Sequence, residues 1–185
     1  LNTQLFLDHF RPEVEKGQDV VYISMSSGIS GTFQAAKIAC QELAEEYPQR
    51  TVRVVDSLGA GFGIGLMACK ASDLRAKGRT AAETADFLDG DAHNTLQFFT
   101  VDDLNFLKRT GRVSGATAMI GTVLNIKPVL WGDPTGHITA RSKQRGRKKA
   151  LAAIAEEYKN AVIDAANQCV AISHGDCEEE AQRLA

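Results

Sequence analysis

The segment Ser26-Ser-Gly-Ile-Ser-Gly-Thr32 carries the residues best suited to binding a ligand. It offers the hydroxyl groups of Ser26, Ser27, Ser30 and Thr32 just where a helical pattern begins. The first turn of a helix presents unpaired N–H groups and the positive end of the helix dipole. Together these donors fit a carboxylate or a phosphate. The alternative interpretation is that Ser30 or Thr32 caps the helix and the glycines only permit a tight turn.

Nucleotide-binding patterns are not matched by the glycine-containing segments. The P-loop pattern Gly-x-x-x-x-Gly-Lys-Ser/Thr does not occur, and no lysine stands where β- and γ-phosphates would need one. Glycines alternate with other residues from Gly59 to Gly65, but the third glycine of a dinucleotide fingerprint would fall on Ile64 or Leu66. These small residues favour the close approach of a helix to its neighbour instead.

Residue types needed for catalysis or metal binding are present, but their spacing supports neither. Ser27, His174 and either Asp102 or Asp176 could form a hydrolase triad, yet Gly-x-Ser-x-Gly surrounds no serine. His174, Asp176 and Cys177 match none of the usual metal-ligand spacings. We therefore expect a protein that is not an enzyme on its own, with no catalytic residues, no metal and no cofactor.

The segment Arg141-Ser-Lys-Gln-Arg-Gly-Arg-Lys-Lys149 contains six basic residues in nine, and residues 108–112 could extend it. It predicts a solvated surface, a site for a phosphate-bearing partner or a nucleic-acid contact. The formal net charge of −2 argues against nucleic acid as the partner, as does the presence of only one aromatic residue, Trp131, within 20 residues on the N-terminal side of the segment.

Composition favours a folded, soluble, cytoplasmic protein. The chain has 185 residues, of which 44% are hydrophobic, enough apolar side chain for real cores. The four cysteines form no Cys-x-x-Cys pair, which favours a reducing compartment. No apolar stretch approaches the roughly 20 residues of a membrane-spanning helix. We also expect the sequence to be truncated at both ends, since it begins with Leu1 and ends in a helix that has barely started.

The elements that position the serine-rich segment form a strand–helix alternation. Short runs rich in β-branched residues predict strands at 19–25 and 51–55, and apolar residues at helical spacing predict helices at 31–48 and 58–77. Thr80 and Glu83 fit a capping box that opens a helix ending near Gly90. This order implies a mainly parallel sheet in an N-terminal α/β domain, residues 1–93.

The remaining residues, 94–185, predict a second α/β domain. The predicted elements are a strand at 95–101, a helix capped by Asp102 and ended by Gly111, a helix at 116–124, a hairpin at 128–131 and 137–141 around a turn at 132–136, a helix from Leu151, a strand at 170–173 and a last helix after Gly175. The fold class is therefore α/β.

Several segments, in order along the chain, resemble the DegV family. Met25-Ser-Ser-Gly-Ile-Ser-Gly-Thr-Phe-Gln-Ala-Ala36 is similar to its hallmark strand, Ser-Ser-x-x-Ser-Gly-Thr and helix. Val54-Val-Asp-Ser57 resembles the end of its next strand, and Phe99-Thr-Val-Asp-Asp-Leu to Gly111-Arg112 its Phe-x-Val-x-x-Leu and Gly-Arg element. Ile126-Lys-Pro128 and the basic segment resemble its Lys-Pro and Arg-Gly segments.

The resemblance implies a function in lipid binding. Proteins of this family bind one long-chain fatty acid between two α/β domains, and some are the lipid-binding subunit of a bacterial fatty-acid kinase that makes acyl phosphate. Carried over by motif, Ser26 and Ser27 hold the carboxylate, with Ser30 able to share that role. Arg112 and Arg145 correspond to arginines near the pocket mouth and would dock the kinase or its phosphate.

The expected function is therefore binding of a fatty acid and its presentation to a fatty-acid kinase. The acyl chain would be walled by Phe33, Phe99, Met119, Ile120 and Leu124, and Thr32 would add a fourth hydroxyl at the carboxylate. An enzyme acting on a small phosphorylated or carboxylated metabolite, with Arg112 or Arg145 as electrophile, is one alternative. A nucleic-acid-binding regulator is another.

The chain departs from the family pattern at both ends. Family members begin earlier, with an Asp-Ser strand end and a Thr-Ser pair that also holds the carboxylate, and Leu1-Asn-Thr3 lies just past that point. The usual His-x-Gly-Pro-Gly segment is absent from the other end, and His174 does not match its histidine. For this reason His174 is left out of the predicted site.

Overall fold

The computed structural model describes residues 1–113 and 125–185. The chain divides into two compact units, Leu1–Thr95 and Leu96–Ala185. The helix predicted at 116–124 lies outside the described residues.

Unit 1 is built on two parallel strands, β1 (Val20–Ser24) and β2 (Val52–Asp56). Their register pairs Val20 with Val52 and, at the other end, Ser24 with Asp56. Both strands are rich in valine, whose branched side chain suits a pleated, packed surface. The predicted parallel sheet is confirmed, and its carboxyl edge brings together the segments that follow the two strands.

Four α-helices and a short 3₁₀ turn complete unit 1: α1 (Thr3–Glu15), α2 (Thr32–Glu46), α3 (Phe62–Ala76), α4 (Ala81–Asp91) and the turn Ala92–Asn94. The capping box is confirmed, since Thr80 Oγ1 accepts the N–H of Glu83 at 3.2 Å and Glu83 accepts the N–H of Thr80 at 2.9 Å. Helix α1 was not predicted. It contains Pro12, and the side chain of Asn2 caps its start by accepting the N–H of Leu5.

The core of unit 1 lies on both sides of the small sheet. One cluster packs α1 and α2 together and includes Phe6, Val14 and the fully buried Leu43. The other joins Val55 of β2 to Met67 of α3 and Leu88 of α4. One face of the sheet is therefore covered by α1 and α2, and the other by α3 and α4.

The cysteines differ in environment. Cys40 is buried in the α1–α2 cluster, where desolvation raises the pKa of its thiol to about 11, so it behaves as a small hydrophobic residue. Cys69 and Cys169 are exposed, although their sequence surroundings are apolar.

Unit 2 contains an antiparallel sheet in the order β3 (Phe98–Phe99), β4 (Ile126–Gly132), β5 (Ile138–Arg145). Its helices are α5 (Leu104–Thr110), α6 (Arg147–Ala161) and α7 (Glu178–Leu184), with a 3₁₀ turn at Ala165–Asn167. The predicted hairpin is confirmed: β4 pairs with β5 around a turn in which Asp133 accepts the N–H groups of Thr135 and His137. Gly111, at φ +71°, ends α5 as predicted.

Three local predictions in unit 2 were wrong. Asp103, not Asp102, caps α5, because Asp102 forms ion pairs with Lys127 at 3.1 Å and Arg147 at 3.4 Å. Lys127 and Arg147 hold the pKa of the Asp102 carboxyl below its usual range. The strand predicted at 95–101 is reduced to Phe98–Phe99, the two residues that pair with β4. Residues 170–173 form no strand, since no described strand pairs with them.

Among the described residues, no helix combines the length and the apolar composition that crossing a membrane requires.

Replacing Leu43 with Ala should lower the free energy of unfolding by about 2–5 kcal/mol, because the side chain is fully buried between α1 and α2. Ile38→Ala on the same helix is the control, since Ile38 is 44% exposed, and it should cost roughly 1 kcal/mol or less. Denaturant titration followed by circular dichroism measures both. Equal losses would contradict this packing.

Candidate functional site

The candidate site lies at the carboxyl edge of the parallel sheet, where β1 and β2 each lead into a helix. Residues 25–31, here called the serine loop, connect β1 to α2, and residues 57–61, the glycine loop, begin the connection from β2 to α3. Open α/β sheets bind ligands outside the carboxyl ends of their strands. Because Ser24 and Asp56 are register partners, the two loops start side by side.

Ser26 organises the serine loop from inside. Its side chain is fully buried, and Ser26 Oγ accepts the N–H of Gly28 at 3.1 Å. Its carbonyl oxygen accepts the N–H groups of Ile29 and Ser30 at 3.2 and 3.1 Å. The hydroxyl that the sequence assigned to ligand binding therefore also closes the turn.

Ser30 and Thr32 form a hydroxyl pair at the start of α2. Their side-chain oxygens are 2.7 Å apart, and Ser30 Oγ accepts the N–H of Thr32 at 3.2 Å. The N-cap residue itself is Gly31, which has no side chain to cap the helix. Within the described residues, the N–H groups of Phe33 and Gln34 have no acceptor, so the first turn of α2 still offers two donors.

Ser27 occupies the exposed side of the serine loop. Its backbone N–H donates to the Asp56 carboxylate, at 3.2 Å from Oδ1 and 3.3 Å from Oδ2. The hydroxyl is left on the solvent side, while the backbone that carries it is tied to β2. Ser27 is therefore the serine of this loop that is best placed to meet a ligand.

The glycine loop is fixed by Ser57, which is almost fully buried. Ser57 Oγ lies 3.2 Å from both the carbonyl oxygen and the nitrogen of Gly59, donating to the first and accepting from the second. The loops are also joined directly, since Ser26 donates its N–H to the Gly59 carbonyl at 2.8 Å. The two loops thus behave as one hydrogen-bonded unit.

These contacts leave a donor-rich surface at the start of α2. A 15-residue helix contributes the positive end of its dipole, the Ser30 and Thr32 hydroxyls lie at its start, and the exposed Ser27 lies in the loop that leads into it. Such an arrangement binds an anion such as a carboxylate or a phosphate.

The other predicted site residues are distributed over both units. Phe33 lies half-buried in the first turn of α2, and Phe99 lies half-buried in β3 opposite Leu130. Met119, Ile120 and Leu124 lie outside the described residues.

The two predicted docking arginines lie in unit 2, near different ends of β5. Arg112 is exposed, its guanidinium donates to the Thr110 carbonyl, and the next residue, Val113, bridges to Ile138. Arg145 is exposed at the far end of the same strand, paired with Ile126. At about 3.3 Å per residue, that end is roughly 23 Å from Ile138.

The basic segment separates into paired and unpaired cations. Arg141 lies over the Trp131 ring at 4.8 Å and pairs with Glu157 at 3.2 Å. Arg147 pairs with Glu180 at 2.7 Å. In the part of the chain that the structure describes, no ion pair involves the remaining basic side chains of this segment, all of them exposed: Lys143, Arg145, Lys148 and Lys149.

The residues considered for catalysis or metal binding have local structural contacts. His174 Nδ1 accepts the backbone N–H of Cys177 at 3.3 Å, and the Cys177 sulfur accepts from Arg147 at 3.6 Å. Over residues 1–113 and 125–185, no group of three His, Cys, Asp or Glu side chains could hold a metal ion.

Sequence reasoning gave no role to Asp56 and Ser57, which hold the two loops together. Only their position in the sequence indicated a role. These two polar residues stand at the end of β2, at the edge of the sheet where the serine loop also starts. The partner of Asp56 in the serine loop, Ser27, is 29 residues away in sequence.

Comparison with known proteins gives the family. The sequence model of the DegV family matches residues 1–185, the whole chain. The chain belongs to the DegV family. A DegV domain-containing protein of Clostridium perfringens is 34% identical over 185 residues, which is 100% of this chain and 64% of the relative. The chain thus spans somewhat less than two thirds of that DegV protein.

Solved structures of DegV proteins share the fold. One from Ruminococcus gnavus, described with vaccenic acid, superposes with a TM-score of 0.87 at 25% identity, over 99% of this chain and 64% of that one. A further solved structure, the Fatty Acid Kinase (Fak) B3 protein of Streptococcus pneumoniae loaded with linoleic acid, has a TM-score of 0.73 at 26% identity, over 87% of this chain and 56% of that one. Both of these proteins are described with a bound fatty acid, and both share the fold of this chain.

The two glycines that precede α2 and α3 should respond differently to substitution. Gly61 has φ +52° and ψ −125°, a conformation that an alanine side chain strains, so Gly61→Ala should lower the free energy of unfolding by about 1–3 kcal/mol. Gly31 has φ −70°, and at both positions no atom of the described residues lies within 4 Å of the place that an alanine Cβ would take, so Gly31→Ala should change the free energy of unfolding by roughly 1 kcal/mol or less. Thermal unfolding measures the difference, and equal effects would show that Gly61 does not hold the left-handed conformation.

Proposed function

We propose that the protein containing this chain binds a long-chain fatty acid, holds its carboxylate at the start of α2 and presents it to a partner fatty-acid kinase. The observation that carries this proposal is the start of α2, which combines open N–H groups with the Ser30 and Thr32 hydroxyls and follows the loop that contains the exposed Ser27. The bound fatty acids named for DegV relatives support the choice of a carboxylate over a phosphate.

The geometry divides the predicted carboxylate ligands into two kinds. Ser27 faces solvent and can donate its hydroxyl proton outward, and the Ser30–Thr32 pair has two hydroxyl protons, of which one is used between the two oxygens. Ser26 is buried and supports the loop in addition to any contact with the ligand. Hydrogen bonds to a charged acceptor contribute about 1.5–3 kcal/mol each, so two or three suffice to orient a carboxylate.

Apolar side chains would supply the affinity. A C16 acyl chain has about 15 methylenes, and burying each at roughly 0.8 kcal/mol gives a gross gain of about 12 kcal/mol before ordering costs. Phe33 and Phe99 are half-buried, and both remain proposed acyl-chain contacts, as do Met119, Ile120 and Leu124. We therefore expect the fatty acid to copurify with the protein.

The proposed partner performs the chemistry. Converting a carboxylate to an acyl phosphate requires a phosphoryl donor, which a kinase subunit would bring. Arg112 and Arg145 are exposed guanidinium groups, and such groups grip phosphate bidentately. Presentation to a kinase is supported by the description of one relative as a Fatty Acid Kinase (Fak) B3 protein. On this proposal the chain acts as a carrier and not as an enzyme.

Purified protein should carry a fatty acid detectable by extraction and mass spectrometry, and Ser27→Ala should weaken its binding roughly tenfold or more, since a hydrogen bond to a charged group is lost. Ser72→Ala is the matched control, because Ser72 is an exposed serine in the middle of α3. Titration of delipidated protein with a fluorescent fatty acid measures both. Absence of lipid from the purified protein together with no measurable binding would refute the proposed function.

Replacing Arg112 and Arg145 with Ala should leave fatty acid bound but lower acyl-phosphate formation when a fatty-acid kinase and ATP are supplied. Lysine at these positions should restore the rate only partly, because a point charge does not reproduce the guanidinium fork.

The control for these arginines is Arg183→Ala, an exposed arginine of α7 paired with Glu179. It should leave the rate unchanged. A full rate in the double alanine variant would remove both arginines from partner docking, and loss of bound lipid from that variant would assign them to the pocket.

A further inference from the structure

Asp56 connects the two loops of the site through a single carboxylate oxygen. Its Oδ1 accepts the N–H of Ser27 in the serine loop at 3.2 Å and the N–H of Leu58 in the glycine loop at 3.0 Å. The second oxygen, Oδ2, lies 3.3 Å from the same Ser27 nitrogen. Asp56 is the last residue of β2, so its side chain fixes the position of both loops relative to the sheet.

The backbone of the glycine loop, which Asp56 holds, is strained at Leu58. Leu58 has φ +51°, in the left-handed region that a residue with a β-carbon rarely occupies. Such conformations persist where surrounding contacts determine them, and they concentrate at functional sites. The hydrogen bond from Leu58 to Asp56 is one such contact, and the buried Ser57 beside it supplies another.

The same carboxylate places a negative charge beside the proposed anion site. Ser27 donates its N–H to Asp56 while its hydroxyl remains available, so a ligand carboxylate bound by that hydroxyl lies within about 10 Å of the Asp56 carboxylate. Like charges at this separation repel, and solvent and salt reduce the effect without removing it. An uncharged head group experiences no such repulsion.

We propose that Asp56 is a positioning residue of the lipid site with two roles. Its acceptor oxygen fixes the serine loop, and its negative charge weakens the binding of a ligand carboxylate. This inference rests on the proposed function, since it assumes that the ligand head group binds at Ser27. The two roles are separable by mutation. Asparagine keeps an oxygen that can accept both N–H groups and removes the charge, whereas alanine removes both.

The test compares hexadecanoic acid with hexadecanol, its uncharged analogue, in low salt at neutral pH, on the full chain of wild type, Asp56→Asn and Asp56→Ala. Asp56→Ala should weaken the binding of both ligands roughly tenfold, because each of the two loops loses a hydrogen bond that fixes its position. Asp56→Asn should keep hexadecanol within about twofold of wild type and bind the acid about two- to fivefold more tightly.

Asp19 provides the matched control at the opposite edge of the sheet. Its Oδ1 accepts the N–H of Thr51 at 2.9 Å, so it also links the chain before β1 to the chain before β2, but away from the proposed ligand. Asp19→Asn should leave the ratio of acid to alcohol affinity at the wild-type value. Amide hydrogen exchange provides a ligand-free readout, in which Ser27 and Leu58 exchange faster in Asp56→Ala than in Asp56→Asn.

The outcomes separate this inference from the function on which it rests. If wild type binds neither ligand, the proposed function fails. If wild type binds and Asp56→Asn shows the wild-type ratio of acid to alcohol affinity, the charge has no role and the inference is overturned. It is overturned equally if Asp56→Asn loses binding as Asp56→Ala does, since then the acceptor oxygen does not position the loop. Should Asp56→Ala fail to fold, Asp56→Asn against Asp19→Asn still decides the question.

Discussion

The parallel pairing of β1 with β2 is the constraint on which the site depends. A parallel pair places the ends of both strands at one edge, and here the last pair in the register is Ser24 with Asp56. The chain that leaves each strand must turn within a few residues into a helix, and the two turns share hydrogen bonds because they start one strand spacing, about 4.8 Å, apart. The donors at the start of α2 therefore have fixed positions before any ligand arrives, which lowers the entropy cost of binding.

Elements that depend only on residues close together in sequence were predictable. The capping box of Thr80 and Glu83 needs three residues, and the helical stripe of α2 and the turn around Asp133 are equally local. Prediction failed where distant partners decide. Residues 170–173 have the apolar composition of a strand, but no described strand pairs with them. Asp102 does not cap α5, because its carboxylate pairs with Lys127 and Arg147. Helix α1 carries Pro12, a residue that signals a helix end.

The candidate site shows the same division. The types and spacing of Ser26, Ser27, Ser30 and Thr32 predicted an anion-binding site at the start of a helix. That prediction needed only residues that are close together in sequence. Which serine faces solvent and which closes the turn depends on Asp56 and Gly59, both about thirty residues away. Likewise, six clustered basic residues could not be sorted from the sequence, because Glu157 and Glu180, which pair with Arg141 and Arg147, belong to later helices.

The register of β1 and β2 also limits how this part of the chain can change length during evolution. Side chains alternate between the two faces of a strand, so an inserted residue within Val52–Asp56 would reverse the facing of every residue after it and separate Asp56 from Ser27. An insertion at 48–50 falls in the connection at the opposite edge, where loop closure costs little more for a longer chain. In relatives, insertions and deletions should therefore concentrate before β2. The strand that corresponds to Val52–Asp56 should keep its length of five residues even where its amino acids differ.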